Sequence, residues 1–411
     1  MNDHRTLRVN RQRLLESIET LGQLGRKPDG SCCRLALTEE DKLGRDLVVS
    51  WMQELGLKIQ IDRVGNILAV LPGAEDLPPV MTGSHIDTVA TGGKLDGCYG
   101  VLAGLEAVRS VKEAGILTRH PLAVAVFTNE EGARFQPDML GSLVYAGGLA
   151  VEDTLAMPID NAATIGEELA RIGYAGSMEP GAIRPSAFIE AHIEQGPILA
   201  SGAGRLGVVK DLQGISWQEV IIRGAANHAG TTPMHLRRDA AWGAAQVICF
   251  VHDLALEFGG SQVATVGSLK LDPGLVNVIP REAVLTVDLR NPVESRLQEA
   301  ERRLADYLSQ LSKETGLETF NRRLSRTEPV VFDDMVIETI RESAELLGQP
   351  YQLMTSGAGQ DAQMLARICP TAMIFVPSIG GISHSPLEAT SPDDLELGAN
   401  VLLQAMLKLA E

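Results

Sequence analysis

PLAVAVFTNEE, residues 121–131, is an unbroken apolar run, Leu122 to Phe127, that leads through Thr128 and Asn129 into Glu130 and Glu131. A continuous apolar run of this length, closed by polar residues, reads as a strand covered on both faces. PPVMTGSHIDT, residues 78–88, reads the same way and opens into a loop that carries His85. Residues Gly100 to Val111 between the two runs have helical periodicity. Apolar strands separated by helices predict an α/β sheet with helices on both faces. In such sheets ligands gather at the carboxyl ends of the strands, which is where His85 and the Glu130–Glu131 pair fall.

Outward from this core, residues 10–56 read as helical, with Leu14, Leu15, Ile18 and Leu21 at helical spacing. KIQIDRVGNILAVLPG, residues 58–73, reads as a strand pair around a turn at Gly65–Asn66. Near residue 213 the pattern changes. ISWQEVIIRGA is an alternating strand, DAAWGAAQVICFVHDLALEFG a helix, and QVATVGSLKLD and EAVLTVDLRN are further alternating strands. VESRLQEAERRLADYLSQLSKETG is a charged amphipathic helix, and ETFNRRLSRTEPVVF closes the segment. The order strand, helix, strand, strand, helix, strand predicts a ferredoxin-like sheet with helices on one face. After about residue 331 the chain returns to helix, the apolar strand TAMIFVP, a loop with His384, and a terminal helix LELGANVLLQAMLKLA. The domains expected are therefore 1–212 with 332–411, and an inserted 213–331.

The 411 residues suit two domains, and 45% hydrophobic residues allow a large core. A net charge of −17 argues against nucleic acid and against an anionic membrane surface as partners. Five cysteines at irregular spacing, without a CxxC pair, fit free thiols in a reducing compartment. The N-terminal stretch has no apolar core of signal-peptide type, and no run approaches a membrane span. A soluble cytoplasmic protein is the expectation.

Five metal-type ligands are spread along the chain: His85 in GSHIDT, Asp96 in GGKLDGCYG, Glu131 in FTNEEGARF, His192 in EAHIEQGP and His384 in GGISHSP. Imidazole nitrogen and carboxylate oxygen are the donors that zinc-type ions take. Singly, an HxD pair is an ordinary loop feature and an EE pair a solvated turn; the set is what points to a two-metal hydrolytic centre. A carboxylate between two ions must bridge them, and Asp96, framed by Gly92, Gly93, Gly97 and Gly100, suits that role. Asp87, two residues past His85, reads as the carboxylate that fixes the imidazole tautomer. Glu130 reads as the general base, with a helix N-terminal carboxylate as the plainer alternative. In the inserted segment His228 follows a strand, and Asn277 and Arg290 lie at strand or loop positions. Arg290 suits a bidentate grip on a substrate carboxylate, or else a structural ion pair. His235 and His252 read as ordinary surface residues.

GSHIDTV, GGKLDG, FTNEEGARF, HIEQGP, NHAGTTPMHLRRDA, VNVIP, VDLRN, GAGQDAQ, MIFVPS and GISHSPLE occur in this order across nearly the whole chain. Together they resemble the N-carbamoyl-L-amino-acid hydrolase, β-ureidopropionase and allantoate amidohydrolase group of the aminoacylase and carboxypeptidase-like two-metal metallopeptidases. The resemblance implies a catalytic α/β domain holding two divalent metals, Zn²⁺ by default with Mn²⁺, Co²⁺ or Ni²⁺ as alternatives. It also implies a smaller lid domain that forms a homodimer. It places His85, Asp96 and His192 on one metal and Asp96, Glu131 and His384 on the other, with Glu130 as base. It puts Gln195, His228, Asn277 and Arg290 on the substrate, and in related enzymes the lid histidine reaches the partner's site. The chain departs at Gln360, also counted among the substrate contacts, where the group usually carries histidine; glutamine can donate a hydrogen bond but does not titrate, so the contact made there is altered. The implied reaction is hydrolysis of an N-carbamoyl-L-amino acid to amino acid, CO2 and ammonia. Allantoate or N-carbamoyl-β-alanine hydrolysis is the alternative. A dipeptidase and an inactive carboxylate-binding dimer module are more distant ones.

Overall fold

The computed structural model describes residues 4–159, 163–202 and 204–411. It divides into two compact units, Met1–Lys210 with Val331–Glu411, and Asp211–Val330.

The first unit is built on four parallel strands, in the order Leu122–Phe127, Val80–His85, Ala187–Ile193 and Thr371–Val376. Every residue of the four is buried, which is why their sequences are apolar without alternation. Antiparallel strands flank them: Ile67–Leu71, then Lys58–Ile61, on one side and Gly207–Leu212 on the other. The helix Cys98–Glu113 packs on three of the parallel strands, and the terminal helix Pro392–Leu409 packs on that helix and also on three of the strands. The terminal helix starts where Ser391 accepts a hydrogen bond from the Asp394 amide and Pro392 takes the first turn.

The expectation of helix throughout residues 10–56 is corrected. Two helices form, Arg11–Gln23 and Glu39–Glu54. Gly25 (φ +85°), Pro28 and Gly30 (φ +87°) break the periodicity between them. In the second helix Arg45 and Asp41 are both fully buried and paired at 2.8 Å. Arg45 also donates to the Gly65 carbonyl and the Thr128 hydroxyl, and Asp41 accepts from the Leu37 amide.

The second unit has a four-stranded antiparallel sheet, in the order Val263–Asp272, Glu282–Asn291, Gly214–Arg223, Glu318–Thr327. With the helices Ala240–Phe258 and Glu294–Thr315 this is the ferredoxin-like arrangement. On Glu282–Asn291 burial alternates strictly. Leu285, Val287 and Leu289 join Val247, Val251, Leu304 and Leu308 of the helices in one core, while Asp288 and Arg290 stand on the opposite face. Among the described residues no helix is long and apolar enough to cross a membrane.

Removing Arg45 strands a buried carboxylate, so Arg45→Met is expected to destabilise the fold by about 3–5 kcal/mol. Adding Asp41→Asn, which removes the charge and keeps an acceptor for Leu37, should recover part of that loss. Urea denaturation of the two variants checks both.

Candidate metal centre

Each parallel strand ends at the same edge, and each delivers a piece of one site. His85 is the last residue of its strand. Its Nδ1 lies 2.9 Å from the Asp87 main-chain carbonyl. A carbonyl only accepts, so Nδ1 carries the proton and Nε2 presents a lone pair. That Nε2 is buried and has no hydrogen-bond partner among the described residues. His192, near the end of Ala187–Ile193, is fixed in the same tautomer by the Ile193 carbonyl at 2.8 Å.

The Asp87 reading is corrected in its atoms. The carboxylate stands 3.9 Å from His85 Nδ1, beyond hydrogen-bond reach. It accepts instead from the amides of Glu130 and Glu131, each at 3.3 Å. Asp87 thus ties two loops together, one through its main chain and one through its side chain.

Asp96 sits at the middle, 3% exposed. Its Oδ1 lies 3.2 Å from His192 Nε2 and 3.8 Å from His85 Nε2. Its Oδ2 lies 3.1 Å from His384 Nε2, and Gln195 Nε2 and Ser383 Oγ donate to it at 2.9 and 3.0 Å. His384 Nε2 is also 3.4 Å from Glu131 Oε2. His85, Asp96 and His192 form one group whose ligand atoms lie within 4.8 Å of one another, and Asp96, Glu131 and His384 form a second. Glu130 Oε2 is 3.4 Å from His85 Nε2.

Gly97 is required twice over. Its φ is +64°, and a Cβ there would stand 2.3 Å from His85 Nε2. It also caps the Cys98–Glu113 helix, and its amide donates to His192 Nε2 at 3.0 Å.

The electrostatics ask for cations. Burial, then Asp96, pushes Glu131 up to about 8. Burial, with Asp361, Glu131, Asp96 and Asp87 around it, pushes Glu130 well above the usual carboxylate range. Burial holds His85 down at about 4. Burial opposes charge on His192 too, but Asp96 outweighs it and lifts His192 to about 9; Asp96 likewise lifts His384 to about 9. Crowded carboxylates that drive one another toward the neutral form, beside an imidazole lone pair and a Glu131 Oε1 that have no partner among the described residues, make a donor set that fits divalent ions.

Residues that motif reading missed support this set. Glu388 accepts from the Leu95 and Asp96 amides at 3.0 and 3.1 Å and from Ser383. Glu190, buried, accepts from Ser84 and the Ala362 amide. Both lie inside quoted motifs, as the last letter of GISHSPLE and the first of EAHIEQGP, and nothing in a one-letter string separates them from surface carboxylates. Gln195 and Gln360 are brought to the centre. His228, Asn277 and Arg290 lie in the second unit. His228 pairs with Val278 in a short ladder, where the Asn277 carbonyl accepts from Ala229. Arg290 pairs with Asp288 at 2.8 Å.

The family model for Peptidase family M20/M25/M40 matches residues 81–408. The chain belongs to this peptidase family. An N-carbamoyl-L-amino-acid amidohydrolase of Rhizobium meliloti is 40% identical over 405 residues, covering 98% of this chain and 97% of the relative. An allantoate amidohydrolase of Bacillus subtilis (strain 168) is 34% identical over 403 residues, with 97% of each chain covered. The crystal structure of an amidase of the hydantoinase/carbamoylase family from Burkholderia multivorans superposes with a TM-score of 0.96 at 44% identity, over 98% of this chain and 99% of that one. The M20/M25/M40 membership agrees with the resemblance read from the motifs. It also makes the two ligand groups candidates in a metal-dependent hydrolase family.

Gly97→Ala is expected to keep the helical circular-dichroism spectrum and lose bound divalent metal. Elemental analysis after gel filtration reads the difference from the native chain.

Proposed function

We propose that the protein is a metal-dependent amidohydrolase that cleaves the carbamoyl group from an N-carbamoyl-L-amino acid, giving the amino acid, CO2 and ammonia. One observation carries this reading. Two ligand groups share one buried carboxylate, Asp96, in a chain 40% identical along its length to an N-carbamoyl-L-amino-acid amidohydrolase. Allantoate hydrolysis is the second reading, favoured by the 34% identical relative.

His85, Asp96 and His192 would hold one divalent ion, and Asp96, Glu131 and His384 the other, with Zn²⁺ first and Mn²⁺, Co²⁺ or Ni²⁺ as alternatives. Bound ions would supply Lewis-acid polarisation of the scissile carbonyl and a more acidic water. Glu130 accepts a proton from the attacking water and delivers it to the departing nitrogen. Burial first, and then its carboxylate neighbours, raise its proton affinity and suit it to hold that proton between the two transfers.

His228 Nδ1 accepts from the Gly230 amide at 3.0 Å, so its proton sits on Nε2. It is a neutral donor for the oxygen that gains charge as the carbonyl is attacked. Arg290 takes the substrate carboxylate. The expectation that one closing lid brings both to one site meets a constraint. His228 and Asn277 lie beyond the Glu282 end of the strand Glu282–Asn291, and Arg290 lies near its other end. At ~3.4 Å per residue the strand alone separates them by about 27 Å. We infer that one inserted unit serves two sites, with Arg290 acting in one and His228 and Asn277 in the other, within a homodimer. The five free cysteines favour a reducing, cytoplasmic setting.

Chelation should abolish turnover, and added metal should restore it. Glu130→Gln should keep its metal and lose about 10²–10⁴-fold in kcat, whereas Glu131→Gln should lose metal. Equal metal content and equal activity in the two variants would reverse these roles. A separate mixing experiment tests the shared site. His228→Ala and Arg290→Ala are each expected to be inactive alone. Refolded together, half the dimers pair one of each, and each such dimer has one intact site. Roughly a quarter of native activity should return; no recovery would place both residues in a single subunit's site.

A further inference from the structure

The amide chain from Asp96 to Gln360 has a direction. An ionised carboxylate only accepts, so Gln195 turns its Nε2 to Asp96 Oδ2, at 2.9 Å, and its Oε1 away. Gln360 Nε2 donates to that Oε1 at 2.8 Å. With its nitrogen committed, Gln360 presents Oε1 at the far end of the chain. Gln360 is 1% exposed, and among the described residues no group donates to Oε1. The acceptor-only character of Asp96 is thus carried through two amides to a bare acceptor, a few bonds from the candidate centre. A buried amide oxygen left without a donor is costly, and a site that keeps one is set to receive a donor from a ligand.

We propose that Gln360 Oε1 accepts an N–H from the terminal amino group of the substrate's ureido moiety, and so selects carbamoyl over acyl substrates. The proposal rests on the reading of the protein as a carbamoyl amidohydrolase. A formyl group puts C–H, and an acetyl group a methyl, where the ureido group puts NH2; only the last satisfies the acceptor. The histidine usual in the resembling group at this position would offer one nitrogen to Gln195 and a second that turns from acceptor to donor on protonation. Glutamine cannot turn, so this chain's preference is independent of such a titration.

The test compares kcat/KM for the N-carbamoyl, N-formyl and N-acetyl derivatives of one L-amino acid, in the native enzyme, Gln360→Met and Gln360→His, with metal content measured in each. Gln360→Met removes the support of Gln195 as well, which lowers all three substrates alike. On top of that common loss, the carbamoyl substrate alone should lose a further factor of roughly 10 to 100, so the carbamoyl preference falls by that factor, with metal content unchanged. Gln360→His should keep the preference above the imidazole pKa and lose it below, while the native preference stays flat with pH. If Gln360→Met lowers all three substrates by the same factor, Gln360 only positions Gln195 and the proposal is overturned. A metal-loaded native enzyme that fails to cleave the carbamoyl substrate overturns the functional reading and this inference with it.

Discussion

One buried carboxylate sets the terms for the rest of the molecule. Asp96 can only accept, and it is approached from two sides: His192 and His85 toward Oδ1, and His384, Gln195 and Ser383 toward Oδ2. Its position is held from behind by Glu388, through the amides of Leu95 and Asp96. Gly97 follows at once because no side chain fits between Asp96 and the His85 ring. Three other stretches of sequence, around His85, His192–Gln195 and Ser383–Glu388, therefore meet at Asp96, and the parallel sheet is what makes them meet. Parallel strands carry all their carboxyl ends to one edge, so ligands far apart in the chain arrive together without any long-range loop.

The sheet and the candidate ligand set were legible in the sequence for a common reason. A strand buried on both faces must be apolar throughout, and a ligand needs a particular donor atom, so PLAVAVFTNEE and GSHIDT show their roles in the letters themselves. Roles that reside in the main chain do not show. Asp87 was read as orienting His85 with its carboxylate, but the orienting atom is its carbonyl, which any residue possesses. Glu388 and Glu190 were silent because a carboxylate that caps buried amides has the same letter as one in solvent. The break at 24–38 was hidden by Leu14, Leu15, Ile18 and Leu21, whose apolar face masked the glycines that follow. Arg290 and His228 were each noticed, while the length of strand between them emerges only from the pairing register.

That register changes what the inserted unit can be. A short ladder places His228 and Asn277 together, and the paired Glu282–Asn291 strand is stiff, so Arg290 cannot fold back toward them. The alternating burial along this strand fixes its facing as well: slipping it by one residue would put Leu285, Val287 and Leu289 in water. The separation of the two groups is consequently as firm as the core of the second unit itself.

Backbone strain falls where this arrangement is tightest. Asn129, Gln195 and His384 have positive φ without being glycine, each at a cost of about 1–3 kcal/mol. Asn129 and Gln195 lie two residues past the ends of parallel strands, and His384 lies in the loop that follows a third. The turns persist because their side chains and amides are tied down: Asn129 donates to the Phe135 and Pro137 carbonyls, and the Gln195 amide donates to Ser378. His384 is the exception, half exposed and held chiefly by its contacts with Asp96 and Glu131. Of the candidate ligands it is the one whose placement depends most on the charge at the centre rather than on the core. A cation between Asp96 and Glu131 would thus do for His384 what the main-chain carbonyls already do for His85 and His192.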